Sequence, residues 1–203
     1  MRMRYVVVLA VAVVALIGAL VIVRSMNGFS ARSAPSSLER MMATMAREYA
    51  VPQRMRGAAN PVVFSADIFS EGRAHFADHC AGCHANDGSG DTEMGRKMYP
   101  RAPDMRLPAT QRLTDGELYW IIENGVRLTG MPAWGTGGDD DVDTWKLVHF
   151  IRRLKDVTPE QVEEMKSLNP KTPSELEEEQ QDRDFLQGKD AEPATTPPAH
   201  HQH

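Results

Sequence analysis

Apolar residues change their spacing along the chain, and each change predicts a different element. From Tyr5 to Val23, nineteen consecutive residues are apolar or small, YVVVLAVAVVALIGALVIV, with Arg2, Arg4 and Arg24 at the ends. As a helix rising 1.5 Å per residue, this run spans roughly 28 Å, close to the ~30 Å hydrocarbon core of a bilayer. A signal peptide is the rival reading, but its apolar region is usually shorter, and no convincing small-x-small cleavage site stands between Arg24 and Pro35. Residues 5–23 are therefore read as an uncleaved transmembrane anchor. Beyond them Leu38, Met41, Met42, Met45 and Tyr49 recur at steps of three and four after Ser36-Ser37, which predicts a capped, amphipathic juxtamembrane helix. Its methionines read as packing surface, against the domain or a partner helix, rather than as thioether ligands. Pro52 to Pro61 reads as a linker, so that helix and linker together occupy residues 24–64.

Three further stripes follow between residues 65 and 156. Ile68, Phe69, Gly72 and Phe76 share one face of a helix that runs into Cys80, with Gly72 placed for a close helix contact. Thr114 and Glu117 make a T-x-x-E capping box before Leu118-Tyr119-Trp120-Ile121-Ile122, and Asn124-Gly125 ends that helix. Asp139 to Asp143 charge the amino end of the third, WKLVHFIRRL, whose Trp145, Val148 and Ile151 or Leu147, Phe150 and Leu154 offer an apolar face. Between them, Asn86 to Asp91 is a turn-rich loop, and Pro100, Pro103 and Pro108 predict irregular chain over residues 95–110. The helices leave no room for a sheet, and the fold class is all-α.

Past Asp156 the pattern turns polar. Thr158-Pro159 and Thr172-Pro173 predict the starts of two short helices within an acidic extension over residues 157–187. Glu175 to Asp184 reads as a solvated face, with docking on a basic partner as the alternative. Residues 188–203 read as a disordered tail ending in His200, His201 and His203. Those histidines could chelate copper, nickel or zinc, against the plainer readings of a polar terminus or a tag remnant.

Charge sharpens the division. Residues 1–64 hold eight Lys/Arg and two Asp/Glu, residues 65–156 eleven and fifteen, and residues 157–203 four and eleven. The acidic distal parts argue against a nucleic-acid partner, which calls for a basic face, and are compatible with a cationic protein partner.

The candidate chemistry centres on Cys80-Ala81-Gly82-Cys83-His84, because C-x-x-C-H is the attachment signature of covalent c-type haem. Two thiols three residues apart occupy neighbouring positions on a helical turn, where each can form a thioether with one haem vinyl, and His84 follows at once under the iron. The alternatives are a redox-active C-x-x-C, a zinc site built with His75 and His79, or a chance match in a structural helix. These are the only two cysteines in 203 residues, so a zinc ribbon lacks its second pair, and no βαβ pattern supports a thioredoxin-like fold. His75 and His79 lie four apart and could chelate a metal, but read as solvated surface. The sixth iron position decides whether such a haem shuttles electrons or binds small molecules. Met131 is the candidate, held in Thr129-Gly130-Met131-Pro132-Ala133-Trp134, where Gly130 permits close approach and Pro132 stiffens the strap. Met94, Met98 and Met105 compete for that place and read as pocket packing. A small core with this much loop needs the haem's apolar volume to fold fully.

Taken together, C-A-G-C-H, Y-P-R-A-P-D, L-T-D-G-E-L-Y-W-I-I-E-N-G, T-G-M-P-A-W and the closing W-K-L-V-H-F-I-R-R-L resemble a bacterial class I cytochrome c domain over residues 65–156. The resemblance implies the cytochrome c fold, three main helices around one covalent haem c, with the helix before Cys80 crossing that of Trp145 and Phe150. It implies that Cys80 and Cys83 carry the thioethers and that His84 and Met131 are the axial iron ligands. It further implies that the Pro103 carbonyl accepts from the second His84 nitrogen, and that Tyr99, Arg101 and Trp120 contact the propionates. No catalytic acid, base or nucleophile is called for.

The resemblance also bears on sidedness. Arg2 and Arg4 before the anchor balance Arg24, Arg32 and Arg40 after it, so the basic-residue rule leaves a tie. In bacterial systems of this kind haem c is attached outside the cytoplasmic membrane. Residues 1–4 are then cytoplasmic and the haem domain periplasmic, in a single-pass inner-membrane protein. The expected function is electron transfer by a membrane-anchored monohaem cytochrome c, as a tethered carrier or as the cytochrome subunit of a respiratory or dehydrogenase complex. Its partners would be redox proteins or complex subunits, with no small-molecule substrate. The competing class is a haem enzyme or a gas or redox sensor from which the methionine departs.

Overall fold

The computed structural model describes residues 2–26, 30, 32–171 and 173–188, all of them in helices or the turns and loops that join helices. Thr172, read as a helix start, and the tail histidines His200, His201 and His203 lie outside the described residues. The apolar run forms one continuous helix, α1 (Arg2–Met26), whose stretch Met3–Val23 has a mean hydropathy of 3.4 and is not buried against the rest of the protein. It is long and apolar enough to cross a membrane. Helix α2 (Ser37–Ala50) begins at Ser36, which makes a full capping box with Glu39.

Four helices build the frame: a short α3 (Gln53–Arg56), then α4 (Ala66–His79), α8 (Asp115–Asn124) and α9 (Val142–Arg152). Smaller helical turns lie between α4 and α8: α5 (Ala81–His84), α6 (Glu93–Lys97) and α7 (Pro108–Gln111). The main crossing is α4 on α9, as expected from the two apolar stripes. Phe150 sits at its centre, with ring centroids 4.9 Å from Phe76 and 5.5 Å from Phe69. Helix α8 closes the other side, where Tyr119 stacks on Trp145 at 4.2 Å. Gly72 is what lets α4 and α9 approach, since a Cβ there would meet the backbone of Lys146, its carbonyl carbon at 2.9 Å. Gly72→Ala is therefore expected to push the helices apart and cost about 1–3 kcal/mol. A lower midpoint of thermal unfolding by circular dichroism checks this, and an unchanged midpoint would show that the crossing has slack.

Two segments read as irregular are more ordered than their sequence suggests. The stretch from Pro52 to Pro61, expected as a linker, wraps the frame: Val51 and Met55 are buried in the core, and Gly116 of α8 accommodates the Met55 backbone. Asn60 donates to the Trp145 carbonyl at 2.9 Å, and the Val62 carbonyl lies 2.7 Å from Nε2 of His149. Proline spacing looks like a linker locally; the apolar side chains of Val51 and Met55 make it a strap. Likewise residues 95–110 are not irregular throughout, because Thr92 caps α6 and Pro108 opens α7. Of the polar extension, α10 (Pro159–Lys166) docks by burying Met165 completely and pairing Glu164 with Arg73 at 2.9 Å. Helix α11 (Pro173–Leu186) buries no residue.

Candidate cofactor site

Cys80 closes helix α4, and its carbonyl accepts from the backbone N–H of Cys83 at 3.2 Å and of His84 at 2.9 Å. The two thiols and the imidazole thus share a single helical turn, as the five-residue spacing requires. Ala85 then takes a φ of 60°, unusual for a residue with a side chain, and turns the chain sharply away. Cys80 and Cys83 form no disulfide. Burial pushes the Cys80 pKa up to about 12, with the neighbouring Cys83 adding to the effect, and burial raises Cys83 as well. Both are therefore neutral thiols at neutral pH.

His84 is held from two sides. Burial lowers its pKa, and the backbone of Pro103 draws it partly back. Proline has no N–H, so the group facing the ring is the Pro103 carbonyl. The ring nitrogen Nδ1 is out of solvent and has no partner within strict hydrogen-bond geometry. A nitrogen shut off from solvent thus belongs to a ring that faces the Pro103 carbonyl. The loops between α5 and α7 create this juxtaposition. Gly90 (φ 72°) donates to the His84 carbonyl at 2.7 Å, and a Cβ on it would meet the Ala102 oxygen at 2.5 Å and the Pro103 oxygen at 3.0 Å. Ala102 in turn donates to Gly95, and Met105 to Gly88, stitching the proline segment over the turn.

Helix α6 braces the same turn from below. Thr92 Oγ1 donates to the Cys83 carbonyl at 3.1 Å while accepting from Gly95, and Gly95 packs against that carbonyl. Met94 brings its Sδ to 3.5 Å from Cys83 Sγ. Neither Thr92 nor Gly95 was singled out by the sequence patterns, although a threonine three residues before a tightly packed glycine is a readable helix-start signal.

Met131 lies on a strap fastened to the end of α8. Val126 donates to the Met131 carbonyl at 3.1 Å, Trp134 to Ile122 at 3.1 Å and Gly135 to Glu123 at 3.2 Å. Gly125 (φ 65°) has no room for a Cβ against this strap, and Gly130 lies over Met98, whose Sδ is 2.8 Å from where a Cβ would stand. Met131, Trp120 and Cys80 are all part-buried apolar residues packed against the core. Under the strap, Glu123 is 1% exposed and accepts from Thr144 Oγ1 at 2.9 Å, with its Oε2 unpartnered. Nothing in the spacing of the apolar run Leu118 to Ile122 marks Glu123 as a buried carboxyl group.

The remaining expected contacts are more dispersed. Trp120 lies under the Arg54 guanidinium, 5.7 Å from the ring centroid, and Tyr99 and Arg101 are exposed on the segment leading into Pro103. Met105 is buried in the core itself, as a packing residue. His75 and His79 have rings 4.7 Å apart, and His79 also meets Trp134 edge-on at 5.4 Å. Among the described residues no cluster of three or more His, Cys, Asp or Glu is arranged to hold a metal ion.

The donor set fits haem c: two thiols on one turn, a part-buried imidazole facing a carbonyl, the Met94 thioether beside Cys83, and a part-buried Met131 on the strap of α8. Residues 67–151 match the family model described as cytochrome c oxidase, cbb3-type, subunit III. Comparison with curated proteins finds no match to the chain. The matched stretch runs from the first turn of α4 to the last turn of α9, including the Cys80 to His84 turn and the Met131 strap, and leaves out α1, α2, α3, α10 and α11. Residues 67–151 are thus a class I cytochrome c domain, a module that binds haem c and transfers electrons through it.

Proposed function

We propose that this protein is a membrane-anchored monohaem cytochrome c, acting as a tethered electron carrier or as the cytochrome subunit of a respiratory or dehydrogenase complex. The observation that carries this reading is the Cys80 to His84 turn, where two neutral thiols and a part-buried imidazole share one helical turn and the Pro103 carbonyl faces the ring. Haem c supplies a one-electron ferrous–ferric couple when bound. Cys80 and Cys83 would hold it by adding S–H across the two vinyl double bonds, sulfur to one carbon and hydrogen to the other, with no net oxidation. Burial suits them to this, because a thioether carries no charge whereas a thiolate there would be poorly solvated.

His84 would hold the iron through Nε2, leaving Nδ1–H to donate to the Pro103 carbonyl, a bond that would fix the ring's orientation and raise its basicity. Met131, on a strap held to α8 by backbone hydrogen bonds, would supply its thioether as the second protein ligand of the iron. A soft sulfur ligand and low solvent access both favour the reduced state. Trp120, Tyr99 and Arg101 are the proposed propionate contacts. With His84 and Met131 as its holders, the protein's work would be to position and insulate the group rather than to move protons.

A reversible titration of the haem-loaded full chain in lipid nanodiscs tests the reading. One single-electron step, with helical content equal in both states, is expected; more than one haem step, or turnover of a small substrate, would overturn it.

The same reading makes α1 a retained anchor, with the haem domain on the periplasmic face of the bacterial inner membrane. The chain should remain in membranes washed with alkaline carbonate, and its amino-terminal sequence should begin ahead of Tyr5. A start beyond Arg24 would show instead that the apolar helix is removed.

A further inference from the structure

The methionine-rich face of α2 has no counterpart in the fold around it. Leu38, Met41, Met42, Met45 and Tyr49 form one stripe, and all five are exposed, Tyr49 to 87%. A helix that packs on its own domain turns such a stripe inward. Here the arrangement is reversed: the only residue of α2 that is not exposed is Arg47, whose Nε is out of solvent. The carboxyl end of the helix is fixed in that sense, because Val51 is buried in the core and Arg56 donates to the carbonyls of Glu48 and Val51. The domain therefore does not cover the stripe.

Its position along the chain says what does. Ten residues separate Met26, the end of the apolar helix, from Ser37, the start of α2, a reach of at most about 36 Å even when fully extended. A stripe on so short a tether is always close to the bilayer that holds α1. Charge points the same way. Residues 24–64 carry six arginines against Glu39 and Glu48, whereas the cytochrome domain and the extension are both net acidic. The one cationic stretch outside α1 is thus the stretch next to the headgroups, and an anionic lipid surface attracts it while repelling the rest.

We infer that α2 lies along the membrane surface with Leu38, Met41, Met42, Met45 and Tyr49 sunk into the boundary between headgroups and acyl chains, so that α2 and the strap from Val51 to Val62 set the orientation of the cytochrome domain to the bilayer. The inference rests on the reading of α1 as a retained anchor. A helix with an apolar face and Arg40 and Arg47 on the other is suited to this interfacial position.

Nitroxide labels on single introduced cysteines test it in the haem-loaded full chain, in nanodiscs of phosphatidylethanolamine and phosphatidylglycerol, with the parent chain as blank. Met41→Cys and Met45→Cys report the stripe, Ala43→Cys and Thr44→Cys the opposite faces, and Val14→Cys the anchor. The labels at 41 and 45 should collide with oxygen but be protected from a water-soluble nickel chelate by roughly tenfold or more relative to 43 and 44, as for groups about 5–10 Å below the surface. Equal chelate access at all four positions would overturn the inference. So would protection of 41 and 45 from both reagents, which would place a partner helix or a second copy of this chain on the stripe. Val14 separates the two readings: oxygen-rich at Val14 but wet at Met41 and Met45 defeats this inference alone, while a wet Val14 defeats the anchor and the inference with it.

Discussion

The double substitution Cys80→Ser/Cys83→Ser should abolish covalently attached haem. Both sulfurs lie on the turn closed by the Cys80 carbonyl, and the chain has no other cysteine to substitute for them. Acidified acetone should leave essentially all haem with the parent polypeptide and extract essentially all of it from the variant. His84 would still offer its imidazole, so haem could bind reversibly, but its stabilising effect would then depend on free haem concentration. A ligand at a thousandfold its Kd stabilises the fold by about 4 kcal/mol, and that contribution vanishes as haem dissociates. The variant should therefore melt at a lower temperature whenever it is diluted without added haem. Haem that resists extraction in the variant, or extractable haem in the parent, would refute the assignment of Cys80 and Cys83.

Met131→Ala should convert a closed haem into an open one. The strap around position 131 is anchored by backbone bonds from Val126, Trp134 and Gly135, so truncating the side chain removes the thioether without releasing the loop. With the sixth position vacated, carbon monoxide affinity of the ferrous protein should rise by at least tenfold, about 1.4 kcal/mol. The reduction potential should fall, because water or hydroxide in place of sulfur favours ferric iron. Met98 and Met94 are the competing sulfurs, one against Gly130 and the other 3.5 Å from Cys83 Sγ. Met98→Ala and Met94→Ala should therefore lose packing stability while leaving the iron closed. If either of them opens the iron and Met131→Ala does not, the ligand is misassigned.

Much of this architecture was legible because it is written in local signals. The Thr114-Glu117 capping box, the Asp-rich start of α9 and the Gly72 contact are all found where the spacing placed them. The crossing of α4 on α9 follows from two apolar stripes that have no other partner. What was not legible depends on residues distant in sequence. Met55 looks like part of a proline-bounded linker until Gly116 of α8 makes room for its backbone. The approach of Pro103 to His84 needs Gly90, Gly88 and Gly95 to bring two loops together, and the resemblance to a known fold, rather than periodicity, suggested it. Glu123 went unnoticed as a buried carboxylate because a period reports only which face a residue occupies, and the strap that covers this face comes from residues 134 and 135. Methionine spacing on α2 showed an apolar face correctly but could not show that this face stays exposed while Arg47 is the part-buried residue of the helix.

Closure of the iron by His84 and Met131 is the point on which electron transfer is separated from ligand chemistry. Its most direct test is to reduce the haem-loaded full chain in nanodiscs at neutral pH and add carbon monoxide while recording the Soret spectrum. The spectrum should be unchanged by the gas and should shift only in Met131→Ala. A prompt shift in the parent chain would contradict the closed, electron-transferring haem and identify the site as one that binds small ligands at iron.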